Sequence, residues 1–354
     1  MRLPLDETAF TFDERPVAIG QVVLAAVSWG AWARLLRRLE FGMLAIARLE
    51  QEGETLADED LRPRLIAWRR ARRLLAAEEY NAWLAARELT LEDMSAYLRR
   101  TTAAERLGGE SSGLEADARP PDLEGAADAA FPEAIVSGEL RSWAERLARQ
   151  AAAAPALAAR GLGAAETRKD DVEALLSEAR ADPRSGLREM PAERLAAWAA
   201  DELALECAWV RLAREAADEQ LIERCVRSHH LDWQRLAWDE ATFPREDVAL
   251  EAAMWVRDEG VALNAIAERA DAPASAGEAY GWDVGELMAL LVGTRPGELV
   301  GPVSNDQGWR LLHLRERVLP TSTDPQIRAR AIEELLEDAL APHLAGRVEW
   351  HAAL

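Results

Sequence analysis

The chain has 354 residues, enough for two or three domains, and 49% of them are hydrophobic, an ordinary share for a globular protein. A formal net charge of −21 argues against a nucleic-acid partner, whose phosphates it would repel, and against adhesion to anionic membranes. Lys169 is the single lysine, so nearly all positive charge is arginine, as a GC-rich genome or a high-salt cytoplasm would produce.

The first seven residues, Met1 to Glu7, lack a basic region followed by an apolar core, so the expectation is no secretory leader and a cytoplasmic protein. The apolar patch Val22–Trp32 is too short to span a membrane. Residues 5–20, with Phe10, Phe12 and Pro16, read as an extended lead-in. From Ser28 the period changes. Trp32, Leu35, Leu36, Leu39, Met43, Ile46 and Leu49 recur at three- and four-residue steps, which predicts an amphipathic helix ending at Gly53. Asp58 or Asp60 caps the next helix, with Pro63 in its first turn. Thr90 and Asp93 have capping-box spacing. These helices make a domain over 1–107. Arg69, Arg70, Arg72 and Arg73 form a basic cluster, expected to be a solvated face paired with nearby glutamates; docking of an acidic partner is the alternative.

Residues 108–132 hold Gly108, Gly109, Ser111, Ser112, Gly113, Pro120, Pro121 and Gly125 and predict a flexible linker. A second helical region follows over 133–230. Its expected helices are Ile135–Arg149, Val172–Arg180 and a long one from Pro191 to about Ser228, with an alanine-rich break around Pro155. Cys207 and Cys225 fit no zinc spacing and read as buried thiols. Cys225 with His229 and His230 makes only a corner, too few ligands for a metal site, and no metal or cofactor is expected. The thirteen tryptophans sit mostly on helical stripes and read as core.

The stretch 231–320 has a distinct order of elements. Arg235–Trp238 is a short extended run. Two helical patterns, Glu246–Glu259 and Val261–Ala270, join at Gly260. A glycine-punctuated loop spans Gly277–Gly285, a short apolar helix spans Glu286–Val292, and a turn spans Arg295–Val303. Gly308–Arg315 is a last extended run. One more helix, Asp324–Leu340, lies within a terminal segment 321–354.

That order resembles the parvulin family of peptidyl-prolyl isomerases. The carrying segments are Gly260-Val261-Ala262-Leu263-Asn264-Ala265-Ile266-Ala267, Tyr280-Gly281-Trp282-Asp283-Val284-Gly285, Pro296-Gly297-Glu298-Leu299-Val300-Gly301-Pro302-Val303, and the run from Gly308-Trp309-Arg310 to Arg317. They cover about a quarter of the chain. With the helical N-terminal part, the whole also looks like the SurA and PrsA foldases. The resemblance implies an α+β fold: a mostly α-helical N-terminal region, a parvulin-like α/β module with a small antiparallel sheet of about four strands, and a C-terminal helix. By analogy, that helix packs back on the N-terminal helices.

The family's polar set, two histidines and a cysteine or aspartate, is not retained. Gln234-Arg235-Leu236-Ala237 stands where the first histidine is expected, and Arg310 stands at the second. Asp271 or Asp283 falls near the cysteine or aspartate position. His313 is an odd number of residues from Arg310, on the opposite face of a strand. Arg310, Asp283 and His313 are therefore the candidate catalytic residues of a rearranged site. Met288, Leu290, Leu291, Val303 and Trp309 are the candidate peptide-binding residues, with a role in the module's core as the alternative. The resemblance implies a chaperone or maturation factor for extended or proline-containing client polypeptide or a peptide precursor, with isomerase activity weak or absent. An active isomerase and a helical scaffold for a protein complex are the alternatives. No hydrolase triad or phosphate loop is present in the sequence.

Overall fold

The structure is a computed structural model that describes residues 5–108, 123–163 and 167–351. They form two compact units, Met1–Leu212 with Ala339–Leu354, and Ala213–Asp338. The fold is α+β and mostly helical, with small antiparallel sheets.

In the first unit the lead-in is a hairpin. Strands β1 (Thr8–Phe12) and β2 (Arg15–Ala18) pair antiparallel around Asp13 and Glu14, both at positive φ. Helix α1 (Ile19–Ser28) is apolar except for Gln21 and Ser28, and Val22 to Ala26 are fully buried. Gly30, at positive φ, turns the chain into α2 (Ala31–Gln51), whose buried stripe is Trp32, Leu35, Leu36, Leu39 and Leu49. Among the described residues no single helix is long and apolar enough to cross a membrane; α1 and α2 reach that length only together, and they are bent by 87°.

Helix α3 (Asp58–Ala71) starts where the Asp60 carboxylate accepts the Ala57 N–H at 3.0 Å. After α4 (Ala77–Ala85), α5 (Leu91–Arg106) opens on the expected box. Thr90 Oγ1 accepts the Asp93 N–H at 3.1 Å, and Asp93 Oδ2 accepts the Thr90 N–H at 2.8 Å. Then come α6 (Leu123–Ser137), α7 (Glu139–Ala159), α8 (Lys169–Ala181) and α9 (Ala192–Ala216).

Three expectations change here. Of the expected linker, residues 109–122 lie outside the described residues, and 123–132 are helical in α6, where Ala130, Phe131, Ala134, Ile135 and Val136 are buried. Pro155 stands inside α7 rather than breaking it. The long helix from Pro191 is two helices, because Asp218 accepts the N–H groups of Gln220 and Leu221 and starts α10 (Glu219–Ser228).

The arginine cluster also differs from expectation. Arg69 donates to the carbonyls of Leu74 and Leu75 at 2.8 and 2.6 Å and lies over the Tyr80 ring. Arg72 lies 4.1 Å above the Trp68 ring and donates to the Val136 carbonyl at 3.0 Å. These two close helix ends and cover aromatic faces instead of meeting glutamates.

In the second unit, β3 (Arg235–Phe243) leads to α11 (Glu246–Glu259). Gly260 ends that helix in the left-handed region before α12 (Leu263–Arg269). Strand β4 (Ala274–Tyr280), helix α13 (Glu286–Leu291), strands β5 (Leu299–Asn305) and β6 (Gly308–Val318), and helix α14 (Pro325–Leu344) follow. The sheet order is β4-β3-β6-β5, antiparallel at every pair.

The stretch expected to be a glycine loop from Gly277 is strand as far as Tyr280. Gly277 lies opposite Trp238, and a Cβ there would sit 2.3 Å from the indole. The glycine makes room for that ring; it does not turn the chain. Leu236, Trp238, Leu312 and Leu314 fill one sheet face beneath Val284 and Leu291. Ala241, Phe243 and Leu311 fill the other beneath Ala249, Ala252 and Ala253 of α11 and Leu263 and Ala267 of α12. The first half of α14, expected on the N-terminal helices, packs Ile327 and Ala331 on Ile222, Cys225 and Val226 of α10 and on Trp233.

Strand β7 (Val348–Trp350) returns to the first unit and pairs antiparallel with β1, giving the order β2-β1-β7. Phe10 and Trp350 meet at 5.3 Å between ring centres, and Arg347 pairs with Asp13.

Among the described residues, two carboxyls are buried in the first unit: Glu133, paired with Arg100 at 2.6 Å, and Glu202. Glu202 of α9 is beside Trp29 and Arg146, with Glu206 one turn on. Burial and then the Glu206 charge push it from the ordinary 4.5 up to about 8, against the Trp29 indole and Arg146. A raised folded-state value means that Glu202 keeps its proton in the fold while the unfolded chain loses it. Its contribution is therefore fully present below pH 4.5 and lost as pH rises towards about 8, at roughly 1.4 kcal/mol per pH unit. Thermal unfolding at a series of pH values across that window is expected to show a falling melting temperature, and Glu202→Gln to flatten the fall. Parallel curves for the two proteins would remove Glu202 as its source.

Candidate functional site

The register of β3 and β6 sets which polar side chains meet. Thr242 is opposite Arg310, and Asp239 is opposite His313. Glu240 Oε1 is 2.8 Å from Arg310 Nε, and the two side chains are 20% and 29% exposed. This pair lies on the face that carries Trp238, Leu312 and Leu314, and Val303 of β5 is the neighbour of Arg310 on its other side. Asp239 and His313 lie on the opposite face. His313 Nδ1 is 3.9 Å from Asp239 Oδ2, and Arg315 Nε is 3.2 Å from Asp239 Oδ1.

The three polar candidates are thus not one cluster. His313 is separated from Arg310 by the sheet itself. Asp283 is exposed in the turn after β4, whose last residue, Tyr280, pairs with Arg235. That rung is seven residues along β3 from Thr242, about 23 Å at roughly 3.3 Å per residue. The apolar candidates divide as well. Met288, Leu290 and Leu291 pack around Trp238 and Leu312, with Leu291 wholly buried. Val303 is next to Arg310 on that same face. Trp309 is opposite Phe243 and belongs to the core beneath α11.

Glu240 is the residue that sequence reasoning missed. The extended run expected from the sequence covers only Arg235–Trp238, so neither Asp239 nor Glu240 is placed on a strand by it. The signal was there in part: two acids on the opening strand match two arginines, Arg310 and Arg315, on the closing one.

Of Cys225, His229 and His230, only the first two meet, with Cys225 Sγ 3.9 Å from His229 Nδ1. His229 Nε2 is 2.9 Å from Glu334 Oε1, and its ring stacks on Trp233 at 4.5 Å. His230 Nδ1 is 3.1 Å from the Arg227 carbonyl oxygen. Burial, with the charges of Glu334 and Asp338, pushes the Cys225 thiol up to about 11, so it stays protonated and a poor nucleophile at neutral pH. Among the described residues no group of three or more His, Cys, Asp or Glu side chains is placed to hold a metal ion.

No family model matches the chain, and no curated protein matches it. Solved structures do. A peptidylprolyl isomerase, PrsA, of Bacillus anthracis is 14% identical with a TM-score of 0.28, over 55% of this chain and 93% of the other. PrsA of Bacillus subtilis is 12% identical with a TM-score of 0.21, over 61% and 88%. A structure from a description of two SurA-like chaperones of Campylobacter jejuni, one of them the virulence factor PEB4, is 8% identical with a TM-score of 0.20, over 97% and 98%. Identity and TM-score are low in all three.

Removing one partner of a half-buried ion pair strands the other charge. Arg310→Ala is expected to lower stability by about 1–2 kcal/mol, and adding Glu240→Gln to recover part of that loss. Urea unfolding of the two single variants and the double variant measures the coupling. Strictly additive effects would mean that the pair does not interact in solution.

Proposed function

We propose that the protein is a chaperone-like maturation factor of the SurA and PrsA type. It binds extended or proline-containing client polypeptide at the Glu240–Arg310 end of the second unit's sheet and accelerates prolyl isomerisation little or not at all. The ion pair is the observation that carries this reading.

Rotation about an X–Pro bond faces a barrier of about 20 kcal/mol, set by the double-bond character of the amide. A catalyst lowers it by favouring the twisted amide over the planar one. Arg310 is a permanent cation with donors only, fixed by Glu240. Its free N–H groups donate to a client carbonyl oxygen whether the amide is planar or twisted. That is uniform binding, which holds a chain without speeding its isomerisation. Val303 and the exposed parts of Met288 and Leu290 supply apolar contact for client side chains. Asp283 and His313 have no part in the proposed contact. The compartment of this reading is the cytoplasm, in keeping with free thiols at Cys207 and Cys225.

The test is a proline-limited refolding reaction of an aggregation-prone client. Equimolar protein is expected to suppress aggregation and to leave the slow phase unaccelerated. Arg310→Ala is expected to weaken binding of a labelled extended peptide about tenfold, or about 1.4 kcal/mol. Acceleration of the slow phase at catalytic amounts, reduced in Arg310→Ala, would replace this reading with an active isomerase. No affinity for unfolded chains, together with a stable complex with a folded protein, would replace it with a scaffold.

A further inference from the structure

The far side of the same sheet carries a second surface that the proposed contact does not use. Helix α11 covers Phe243 and Leu311 with its alanines, and its outer side carries large apolar residues among its acids. Leu250, Met254 and Trp255 are 47%, 61% and 40% exposed. Trp255 borders a groove between α11 and α12 of about 270 Å³, with Val248, Ala252 and Ile266 as its apolar walls and Phe243 at its base. That volume takes a single large side chain.

The helix that walls the groove is acidic. Helix α11 carries Glu246, Asp247, Glu251, Asp258 and Glu259 against one cation, Arg257. Arg257 is turned to the carbonyls of Leu299 and Gly301, at 3.4 and 3.1 Å. Arg245, just before the helix, is held by Asp247 at 3.0 Å. Glu251 lines the groove itself, and Arg269 of α12 is the cation that faces it. An apolar slot beside a helix with an excess of acids selects a partner with an apolar anchor and positive flanks. An anionic lipid surface is repelled, and so is the same acidic face on a second copy of a chain with a net charge of −21.

We infer that the α11–α12 groove docks a polypeptide segment with one aromatic or aliphatic anchor flanked by arginine or lysine. The anchor enters beside Trp255, and the flanking cations meet Glu251 and the remaining acids of α11. This surface is separate from the Glu240–Arg310 contact, so each stands or falls alone.

The test uses the full chain and three fluorescein-labelled peptides: a phenylalanine flanked by arginines, the same phenylalanine flanked by glutamates, and an arginine-flanked alanine. Anisotropy is expected to show binding of the first, weakening as salt is raised. The other two are expected to bind about tenfold or more weakly, as are Trp255→Ala and Glu251→Lys toward the first peptide. Glu251→Lys keeps the groove intact if Trp255→Ala disturbs folding. Arg310→Ala is expected to change nothing. Equal binding of the arginine- and glutamate-flanked peptides, or indifference to both groove variants, would overturn the inference. So would loss in Arg310→Ala alone, which would move the peptide to the other face. A dimer in sedimentation that Trp255→Glu disperses would assign the groove to a second copy.

Discussion

The second unit depends on alternation along β3. This strand is interior to its sheet and covered on both faces, a setting that usually calls for an unbroken apolar run. It has Leu236 and Trp238 for one face and Ala241 and Phe243 for the other. Between them stand Asp239 and Glu240, adjacent in sequence and so on opposite faces. Two carboxylates in the middle of a covered strand are tolerable because β6 brings an arginine to each, Arg315 to Asp239 and Arg310 to Glu240. Register and charge are one constraint here. A slip of one residue would turn Glu240 toward the alanines of α11 and carry Trp238 away from the space left by Gly277.

The same economy of arginine runs through the first unit. Arg72 lies over Trp68, Arg87 over Trp83, Arg146 over Trp29 and Arg141 over Trp350, all within 4.4 Å of the ring centre. A planar guanidinium lies flat on an indole and still donates from its edge, as Arg72 does to Val136. A lysine ammonium, compact and strongly hydrated, does neither at once. A composition with one lysine reads at first as genomic bias or a salt-adapted surface. In the fold, part of its arginine is structural.

How much of this was legible follows from the range of the forces involved. Helix α11 was visible end to end, because its apolar period and the glycine that ends it are local. The Thr90–Asp93 box was visible for the same reason. Strand β4 was not. Its alanines, serine and glycine look like a loop, and only Trp238, brought from a distant part of the chain, explains Gly277. The division between α9 and α10 was written in Asp218, but a continuing apolar stripe masked the cap. At the candidate site, Arg310 was marked by its place in a resemblance. Its partner Glu240 was hidden because strand length is decided by pairing, which no single segment contains. Simple alternation sets His313 on the other face from Arg310, and the same alternation separates Trp309 from Met288, Leu290 and Leu291.

The pairing of β7 with β1 joins residues near 10 and near 350. The elements of the second unit are contiguous in sequence between them. During synthesis the inserted unit therefore has all its parts first, while β1 waits with one edge uncovered. A nascent chain halted before Val348 would carry a complete second unit and an open strand edge of the kind that invites pairing with other chains. Closing that edge waits on residues near 350, so a protein proposed to hold unfinished chains is itself open at β1 until β7 is read.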